Sequence, residues 1–323
     1  MSSIKETLRP LAHKVYGVRD SISQSRQYKR NHGTKYRVEG EIRNLPKMLF
    51  VLSGYKKELW DDVFTRIKRN QPSDMEICIG SSGKYCQELS DLCKKNGWVY
   101  ISTTLNNVCV ATNVIIREFP KAEYIYKLDE DIYVPDGYFD DMYEAYKRIE
   151  ERENAYKIGY ICPLLPLGFY GMHQFLEDNN CLDEYEKKFG KHFIGGTEMN
   201  PNFRHTNKGL DEFIWSKIGN FDECVEKYKN KPFSYEPCVT RSGIATILFK
   251  REFWDRLGSL TRHKGIGVGS DGDEGQITAF CALNFRACFC VKNILVGHFS
   301  FGGAEKNVLK YREEHPEVFK MKE

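Results

Sequence analysis

The sequence has 323 residues, 41% of them hydrophobic and 29% charged, so it is long enough to bury a large core. Its formal net charge of +3 is too small to indicate a nucleic-acid partner, and we expect none. No signal peptide opens the chain, and no apolar run approaches the ~18 residues that span a bilayer, so we expect a soluble, cytoplasmic protein.

The positive charge is concentrated at the start of the chain. Residues 1–47 contain eleven Lys and Arg against four acids, a local charge of +7. A basic segment on a mildly acidic body favours contact with an anionic membrane surface or a polyanionic partner. Alternatively, the segment is a solvated extension that packs on the domain. We assign residues 1–46 to a basic N-terminal extension, and expect any membrane contact to be peripheral, at the inner face.

The eleven cysteines are odd in number and include no CxxC pair. Several lie inside apolar stretches such as "MEICIG", "IGYICP" and "FCALNFRACFC". This pattern predicts buried, reduced thiols in a reducing compartment, and neither a disulfide framework nor a zinc site.

From residue 47, strands and helices alternate. The predicted strands are "KMLFVLSG", "MEICIGSSG", "WVYIST" and "EYIYKLDED", and the helices between them are "KKELWDDVFTRIKR", "YCQELSDLCKKNG" and "NNVCVATNVIIREFP". This alternation predicts an α/β fold with a mostly parallel sheet and helices on both faces. Ligands of such sheets bind at the carboxyl ends of the strands, where the acids after "YIYKL" fall.

The pattern changes after Pro135. A helix "GYFDDMYEAYKRIEERENAY" and a strand "KIGYICPLLPLG" precede residues 168–236, which are polar and aromatic without a clear strand. We predict a helical insertion there, covering one side of the cleft. Regular structure resumes at "CVTRSGIATILFKREFWDRLG", followed by a Gly-rich loop, a helix "QITAFCALNF" and a strand "ACFCVKNILVGHFSF". Residues 301–323 are predicted to form a solvated tail helix.

Two carboxylates, Asp129 and Asp131, end the fourth strand two residues apart. Like charges this close repel unless a cation lies between them. Mg²⁺ or Mn²⁺, held by carboxylate and phosphate oxygens, is the natural occupant. Solvated acids at a strand end are the alternative explanation for any single Asp-X-Asp.

Two further groups are candidates for chemistry. His298 ends a later apolar strand, a position at which a lone histidine is usually structural. Asp271, Asp273 and Glu274 lie between glycines just before a helix. These acids could simply favour the helix N-terminus, or one of them could deprotonate an acceptor hydroxyl.

Together these blocks resemble GT-A glycosyltransferases, closest to family 2, over residues 47–300. The matching segments are Asn107, Ala111 and Asn113 followed by "AEYIYKLDEDIYVPDGYF", then "RSGIATILFKREFWDRLG", then "DGDEGQITAFCALNFRACFCVKNILVGH". The resemblance implies a Rossmann-like GT-A domain at 47–300. Three ordered blocks at plausible spacing are more specific than any one of them.

The resemblance also implies roles for individual residues. Asp131 would bind the metal directly, Asp129 would contact the metal or the ribose, and His298 would be the third protein ligand. The residues expected at the donor and its nucleotide are Ser53, Gly54, Tyr55, Lys56, Ser81, Ser82, Asn107, Asn113, Asp129, Glu130, Ser242 and Gly243. Tyr55 would stack on the base, whose identity stays open because "GSSG" replaces the family's usual aspartate.

The catalytic base implied by the resemblance is Asp273 or Glu274. Counting back from Asn284, which occupies the family's helix-ending glycine, gives Asp273, whereas matching the acidic pair as a unit gives Glu274. We prefer Asp273.

The implied activity is metal-dependent, inverting transfer of a sugar from a nucleotide-diphosphate sugar to a hydroxyl of a glycan or lipid-linked glycan acceptor. A haloacid-type phosphatase is disfavoured because its Asp-X-Asp strand comes early in the domain and because Tyr133 stands where it needs Thr or Val. A nucleotidyltransferase usually carries a Gly-rich loop after its first strand, and "LSGYKKEL" is poor for that. A non-catalytic carbohydrate-binding or scaffold protein would not need Asp131, His298 and Asp273 together.

Overall fold

The computed structural model describes residues 18–168, 170–194, 209–239, 242–263, 272–300 and 305–322. Eleven strands occur in these ranges: β1 (Tyr36–Glu39), β2 (Lys47–Leu52), β3 (Met75–Ser82), β4 (Val99–Thr103), β5 (Tyr124–Asp129), β6 (Ile132–Tyr133), β7 (Lys157–Leu164), β8 (Tyr235–Pro237), β9 (Thr246–Lys250), β10 (Arg286–Leu295) and β11 (Gly297–His298). The helices are α1 (residues 18–31), α2 (Trp60–Asn70), α3 (Gln87–Asn96), α4 (Val108–Glu118), α5 (Tyr138–Arg152), α6 (Gly171–Asp178), α7 (Leu182–Phe189), α8 (Leu210–Ile218), α9 (Phe221–Lys229), α10 (Arg251–Leu257), α11 (Asp273–Leu283), α12 (Glu305–Glu314) and α13 (Pro316–Phe319).

A nine-stranded sheet forms the centre of the molecule, in the order β1-β4-β3-β2-β5-β9-β7-β10-β8. The strands β2, β3, β4, β5, β7 and β10 run in one direction, and β1, β8 and β9 run against them. The predicted α/β fold with a mostly parallel sheet is therefore confirmed. The strands β6 and β11 pair separately as a two-stranded antiparallel ribbon.

The central strands are apolar because helices cover the sheet. Every residue of β3 and β4 is buried, as are all but the last residues of β2 and β5. The chain leaves β2 towards β3 and β4, and then returns to the other side of β2 as β5. The crevice between the carboxyl ends of β2 and β5 is thus the topological switch point, where open α/β sheets bind ligands.

The predicted insertion, residues 168–236, contains α6, α7, α8 and α9 in its described part and ends in the short edge strand β8, which the sequence did not indicate. Trp215 on α8 and Phe221 on α9 pack under the β6–β11 ribbon. A Cβ on Gly297 would lie 2.8 Å from Trp215 and 3.1 Å from Phe221, so only glycine fits at this crossing. The indole N–H of Trp215 also donates to the carbonyl of Phe299, 2.8 Å away. The insertion therefore supports the ribbon that carries His298.

The described part of the predicted extension, residues 18–46, is joined to the sheet. Strand β1 pairs antiparallel with β4 and forms one edge of the sheet. At the end of α1, the carbonyl of Asn31 accepts from the Asn113 side chain on α4 at 2.9 Å, and the Asn31 amide donates to Ser259 at 3.0 Å. The sequence boundary at residue 46 overlooked this because β1 is short and half-exposed. Residues 1–17 lie outside the described residues.

The C-terminal segment is helical and largely exposed in its described part, residues 305–322, and a few buried side chains attach it to the body. It forms α12 and α13, in which Val308, Val318 and Phe319 are buried. The buried guanidinium of Arg66 on α2 donates to the Phe319 carbonyl at 3.5 Å and binds Asp222 at 2.7 Å. Apolar anchors separated by many charged residues carry a weak sequence signal, although they fix the segment firmly to the body.

All eleven cysteines are free, and eight of them are buried, as expected for reduced core thiols. Within the described ranges, no helix combines the length and the apolar composition that crossing a membrane requires.

Candidate active site

A pocket of about 560 Å³ opens where the carboxyl ends of β2, β3 and β5 meet β11. It is lined by Leu52, Ser53, Tyr55, Lys56, Ser82, Asn106, Val108, Asp129, Glu130, Asp131, His298 and Ser300. Eight of these residues are sequence candidates, collected from four separate segments of the chain. The pocket therefore coincides with the switch point at which the fold places ligands.

Asp131 and His298 face each other in this pocket. Asp131 directly precedes β6, and His298 ends β11, whose pairing with β6 sets His298 opposite Ile132. The His298 Nε2 lies 3.4 Å from Asp131 Oδ2, and the His298 Nδ1 lies 2.8 Å from the carbonyl of Leu167. Because a carbonyl can only accept, Nδ1 carries a proton, and this bond fixes the ring with Nε2 towards Asp131.

The electrostatics of this pair favour ionised Asp131. Burial alone would raise its pKa, but His298 and then Lys56 stabilise the charged form and hold the pKa below its ordinary value. For His298 the effects are reversed. Burial lowers its pKa, but the charge and the hydrogen bond of the Asp131 carboxylate act in the opposite direction, and the pKa of His298 is raised. A buried carboxylate that stays charged is a natural site for a cation.

Lys56 supplies a cation in the structure itself. Its Nζ lies 2.5 Å from Asp131 Oδ2, the same oxygen that faces His298. The Asp131 side chain is only 3% exposed, whereas Lys56 is 24% exposed. The ammonium thus reaches from the pocket mouth down to the buried carboxylate.

The second acid of the motif, Asp129, is held apart from this group. Lys127 points its Nζ to Asp129 Oδ1 at 2.5 Å and to the Ile244 carbonyl at 2.9 Å. The Asp129 N–H also donates to the Ala245 carbonyl, 2.7 Å away. Asp129 therefore pairs with the β5–β9 side of the pocket and does not join Asp131 and His298 as a third ligand in this arrangement.

Glu130, between the two aspartates, faces the backbone of the loop after β2. Its carboxylate accepts from the N–H groups of Gly54 and Tyr55 at 2.9 and 3.0 Å, and from the indole N–H of Trp60 at 2.8 Å. Three donors occupy the two oxygens. Although Glu130 borders the pocket, its charge is used to anchor residues 54–55.

Asp131 and His298 are the side chains of the pocket that could hold a divalent metal ion. The described ranges contain no group of three or more His, Cys, Asp or Glu side chains arranged for a metal. Asp131 and His298 nevertheless offer one carboxylate oxygen and one imidazole nitrogen that converge, with the ring oriented by its Nδ1. This donor pair suits a divalent ion whose remaining ligands are oxygens of a bound molecule or water.

Two serine hydroxyls add unused hydrogen-bonding capacity. Ser53 after β2 and Ser300 after β11 are each 98% buried, and both line the pocket. Neither Oγ has a hydrogen-bond partner among the described residues. Because buried hydroxyls are normally paired, these two indicate a polar ligand in the pocket.

The outer end of the pocket contains an aromatic platform. The Tyr55 ring is 61% exposed, while its hydroxyl donates to the Ser82 carbonyl at 3.1 Å and lies 3.3 Å from Asn106 Oδ1. The Lys84 ammonium stands 4.6 Å from the ring centre. Because Tyr55 is fixed at its hydroxyl and is largely exposed, its ring is suited to stack on a planar base.

Three predicted donor residues are used inside the fold. Ser81 bonds the Lys84 carbonyl and the Tyr100 hydroxyl. Asn107 is the N-cap of α4 and accepts from the Val110 N–H. Asn113 is 99% buried and links α4 to α1 and to Leu260. None of the three lines the pocket.

Ser242 and Gly243 also lie outside the pocket lining. The Ser242 hydroxyl is buried and bonds the Tyr160 hydroxyl at 2.8 Å, beneath β7. Gly243 has open space where a Cβ would be. The next two residues reach the site through their carbonyls: Ile244 accepts from Lys127, and Ala245 accepts from the Asp129 N–H.

The two candidate bases occupy the first positions of α11. Both act electrostatically on Lys127: burial lowers the pKa of this lysine, but Asp129, Asp273 and Glu274 raise it more. The N-terminus of α11 is therefore near the Asp129 side of the pocket. Asp271 lies outside the described residues.

Four residues of functional interest had no role in the sequence interpretation: Asn106, Val108, Ser300 and Lys127. The role of Lys127 was detectable from the sequence, because a lysine inside the buried strand "YIYKLD" must have a charged partner. The others carried none, since their positions depend on how distant loops meet.

The chain matches no protein-family model and no curated protein. Among solved structures, it is similar to a mannosyltransferase from Pyrobaculum calidifontis in complex with GDP-Man and Mn²⁺ (12% identity, 90% of this chain and 68% of that one, TM-score 0.43). It is also similar to GalNAc-T7 with UDP, GalNAc and Mn²⁺ (12% identity, 84% of this chain and 48% of that one, TM-score 0.46). A third similar structure is TarS of S. aureus (12% identity, 37% of this chain and 21% of that one, TM-score 0.30).

Proposed function

We propose that this chain is a metal-dependent glycosyltransferase that moves a sugar from a nucleoside-diphosphate sugar to a hydroxyl of a glycan or lipid-linked glycan acceptor. The observation that carries the proposal is the Asp131–His298 pair at the switch point of the sheet, 3.4 Å apart and flanked by the hydroxyls of Ser53 and Ser300, which have no hydrogen-bond partner in the described part of the chain. A converging anion, imidazole and free hydroxyls suit a metal-bound diphosphate better than they suit a purely carbohydrate ligand.

The donor would lie along the pocket from Tyr55 to Asp131. The exposed Tyr55 ring supports stacking of the nucleobase, and Ser82 and Asn106 fix that ring from below. Asp129, whose side chain is 44% exposed and lines the pocket, would accept a hydrogen bond from a ribose hydroxyl. Ser53, Ser300 and Lys56 would then surround the diphosphate with two hydroxyl donors and one ammonium.

Asp131 and His298 would hold the divalent ion, Mn²⁺ or Mg²⁺. When bound, such an ion supplies positive charge that stabilises the departing diphosphate. The protein's part is to keep Asp131 ionised and to orient Nε2 of His298 through the Leu167 carbonyl. Both tasks are completed before any donor arrives.

Proton removal falls to the N-terminus of α11. In a direct displacement, the acceptor oxygen bonds to the anomeric carbon as the bond to the diphosphate breaks, and the hydroxyl proton moves to a carboxylate. Asp273 or Glu274 would accept that proton, with Asp273 preferred. Inversion of the anomeric configuration follows from a single displacement.

We also propose that residues 1–47 make peripheral contact with an anionic membrane, and the composition of helix α1 supports this proposal. On α1, Val18 and Ile22 are exposed one helical turn apart, and Arg19 and Arg26 add positive charge. Binding to anionic vesicles that weakens with salt is the expected result. Equal binding to neutral vesicles would contradict it.

The deciding experiment for the function is a thermal-shift comparison of UDP and GDP, each with and without Mn²⁺. Stabilisation by a nucleotide that requires Mn²⁺, followed by metal-dependent hydrolysis or transfer of the matching sugar nucleotide, is expected. Stabilisation by free sugars alone would favour a carbohydrate-binding protein, and release of pyrophosphate from a nucleoside triphosphate would favour a nucleotidyltransferase.

A further inference from the structure

Three charged or polar side chains meet in the pocket, where Lys56 and His298 converge on one oxygen of Asp131. Asp131 Oδ2 lies 2.5 Å from the Lys56 ammonium and 3.4 Å from His298 Nε2. Asp131 is the deepest of the three, with 3% of its side chain exposed. The ammonium therefore occupies the approach to the two atoms proposed to bind the divalent ion.

An ammonium and a divalent cation compete for this carboxylate, because two cations at such short distances from one oxygen repel each other. A metal ligand oxygen stands about 2.1 Å from its ion. A second cation at hydrogen-bond distance from the same oxygen would be repelled at short range, beside a carboxylate that is only 3% exposed. While Lys56 stays in place, it therefore opposes binding of the metal ion through this oxygen.

The surrounding contacts let the side chain move while its backbone stays in place. The Glu130 carboxylate fixes the N–H groups of Gly54 and Tyr55, the residues just before Lys56. The lysine itself has a flexible four-carbon stem and is partly exposed. The same pocket contains the hydroxyls of Ser53 and Ser300, where we place the donor's diphosphate. A displaced ammonium therefore has an anionic partner within the same pocket.

We infer that Lys56 is a built-in competitor of the metal ion, and that the donor's diphosphate removes this competition by attracting the ammonium. Metal and nucleotide then bind with positive coupling beyond their direct contact, and the free enzyme binds metal weakly. This inference rests on the proposed function for its account of the diphosphate. The competition between Lys56 and the metal is a separate claim about this chain alone.

The test measures Mn²⁺ affinity by electron paramagnetic resonance of free Mn²⁺, without nucleotide and then with saturating UDP or GDP. Lys56→Met removes the charge at nearly constant length, Lys56→Gln is a second neutral variant, and Lys56→Arg keeps the charge. The matched control is Lys57→Met, because Lys57 is the adjacent lysine, 64% exposed and paired with Glu88. Thermal unfolding confirms that each variant is folded.

Without nucleotide, both neutral variants of Lys56 are expected to bind Mn²⁺ about tenfold or more tightly than the unaltered protein, within the usual range of coupling between sites. Lys56→Arg and Lys57→Met should resemble the unaltered protein. With UDP or GDP, the advantage of the neutral variants should shrink, because the nucleotide has already drawn the lysine away.

Equal Mn²⁺ affinity of Lys56→Met, Lys56→Gln and the unaltered protein would overturn the competition while leaving the proposed function in place. Absence of Mn²⁺ binding in every protein, with and without nucleotide, would overturn both the inference and the metal-dependent function. If Mn²⁺ binds but neither nucleotide does, the proposed function fails, and the nucleotide-free comparison still decides the competition.

Discussion

His298 Nε2 lies 3.4 Å from Asp131 Oδ2 because the two-stranded ribbon of β6 and β11 brings together the ends of two distant segments. A backbone hydrogen bond also joins the two segments, because the Phe299 N–H donates to the Asp131 carbonyl at 2.9 Å. Gly297 permits the close packing of the insertion beneath the ribbon. The pair is thus positioned by the fold, independently of any ligand.

Removing the carboxylate of this pair should remove metal binding. Asp131→Ala takes away the charged ligand, so Mn²⁺ binding and sugar transfer should both be lost, and EDTA should have the same effect on the unaltered protein. His298→Ala should weaken Mn²⁺ binding by about 10–100-fold, with partial activity at high Mn²⁺, because the carboxylate and the phosphates remain. Full activity in EDTA would show that the reaction does not depend on a metal.

Glu130→Gln should act on stability before it acts on chemistry. The substitution puts an amide in place of one oxygen that now accepts from Gly54, Tyr55 or Trp60. Because hydrogen bonds to charged groups contribute about 1.5–3 kcal/mol, the free energy of unfolding in urea should fall by roughly 2 kcal/mol. The exposed Glu58→Gln is the control. Unchanged stability with lost nucleotide binding would instead mean that Glu130 contacts the donor.

The sequence was informative wherever the chemistry was local. An apolar run that ends in acids located β5 and the Asp129–Asp131 motif, and strand–helix alternation predicted the parallel sheet. The sequence was uninformative where contacts between distant segments determine the role of a residue. Asn113 was expected at the donor, yet it ties α4 to α1 from a buried site. Lys127, which orients Asp129, shows its role only once the Ile244 carbonyl is seen beside it.

Two truncations should distinguish the contribution of strand β1 and helix α1 to stability from that of residues 1–17. A chain that begins at Leu45 loses β1, which pairs with β4, and the Asn31 contacts to Asn113 and Ser259. The unfolding midpoint should drop by about 5 °C or more, and the exposed β4 edge should promote association. A chain that begins at Val18 keeps these contacts and should match the full chain. Equal midpoints for both truncations would show that β1 adds no stability.

Stability should depend on pH through His192. Its ring is stacked on His173, 5.3 Å between centres, and neither ring nitrogen has a hydrogen-bond partner among the described residues. Burial, and next the neighbouring His173, lower the pKa of His192 to about 4. Below about pH 6.5 the unfolded chain takes up a proton that the folded chain refuses, so stability is lost as the pH falls towards 4.

In that pH window, His192 alone should change the free energy of unfolding by up to about 1.4 kcal/mol per pH unit. The measurement is urea denaturation of the unaltered protein and of His192→Phe from pH 7 to pH 4. The difference between the two curves gives the contribution of His192, because every other titrating group is common to both proteins. His192→Phe should show the shallower loss. Parallel curves for the two proteins would mean that His192 is not held neutral in the fold.

The last prediction concerns the proton acceptor. Asp273 begins α11, where its charge reaches Lys127 beside Asp129. Asp273→Asn keeps the size and removes the basicity, so transfer should fall by roughly 10²-fold or more, as general-base contributions imply. Mn²⁺ and nucleotide binding should survive, because Asp131 and His298 are unchanged. Glu274→Gln is the matched control on the next residue of the same helix. Loss of activity in Glu274→Gln alone would move the base by one position, and full activity in both variants would exclude the N-terminus of α11 as its source.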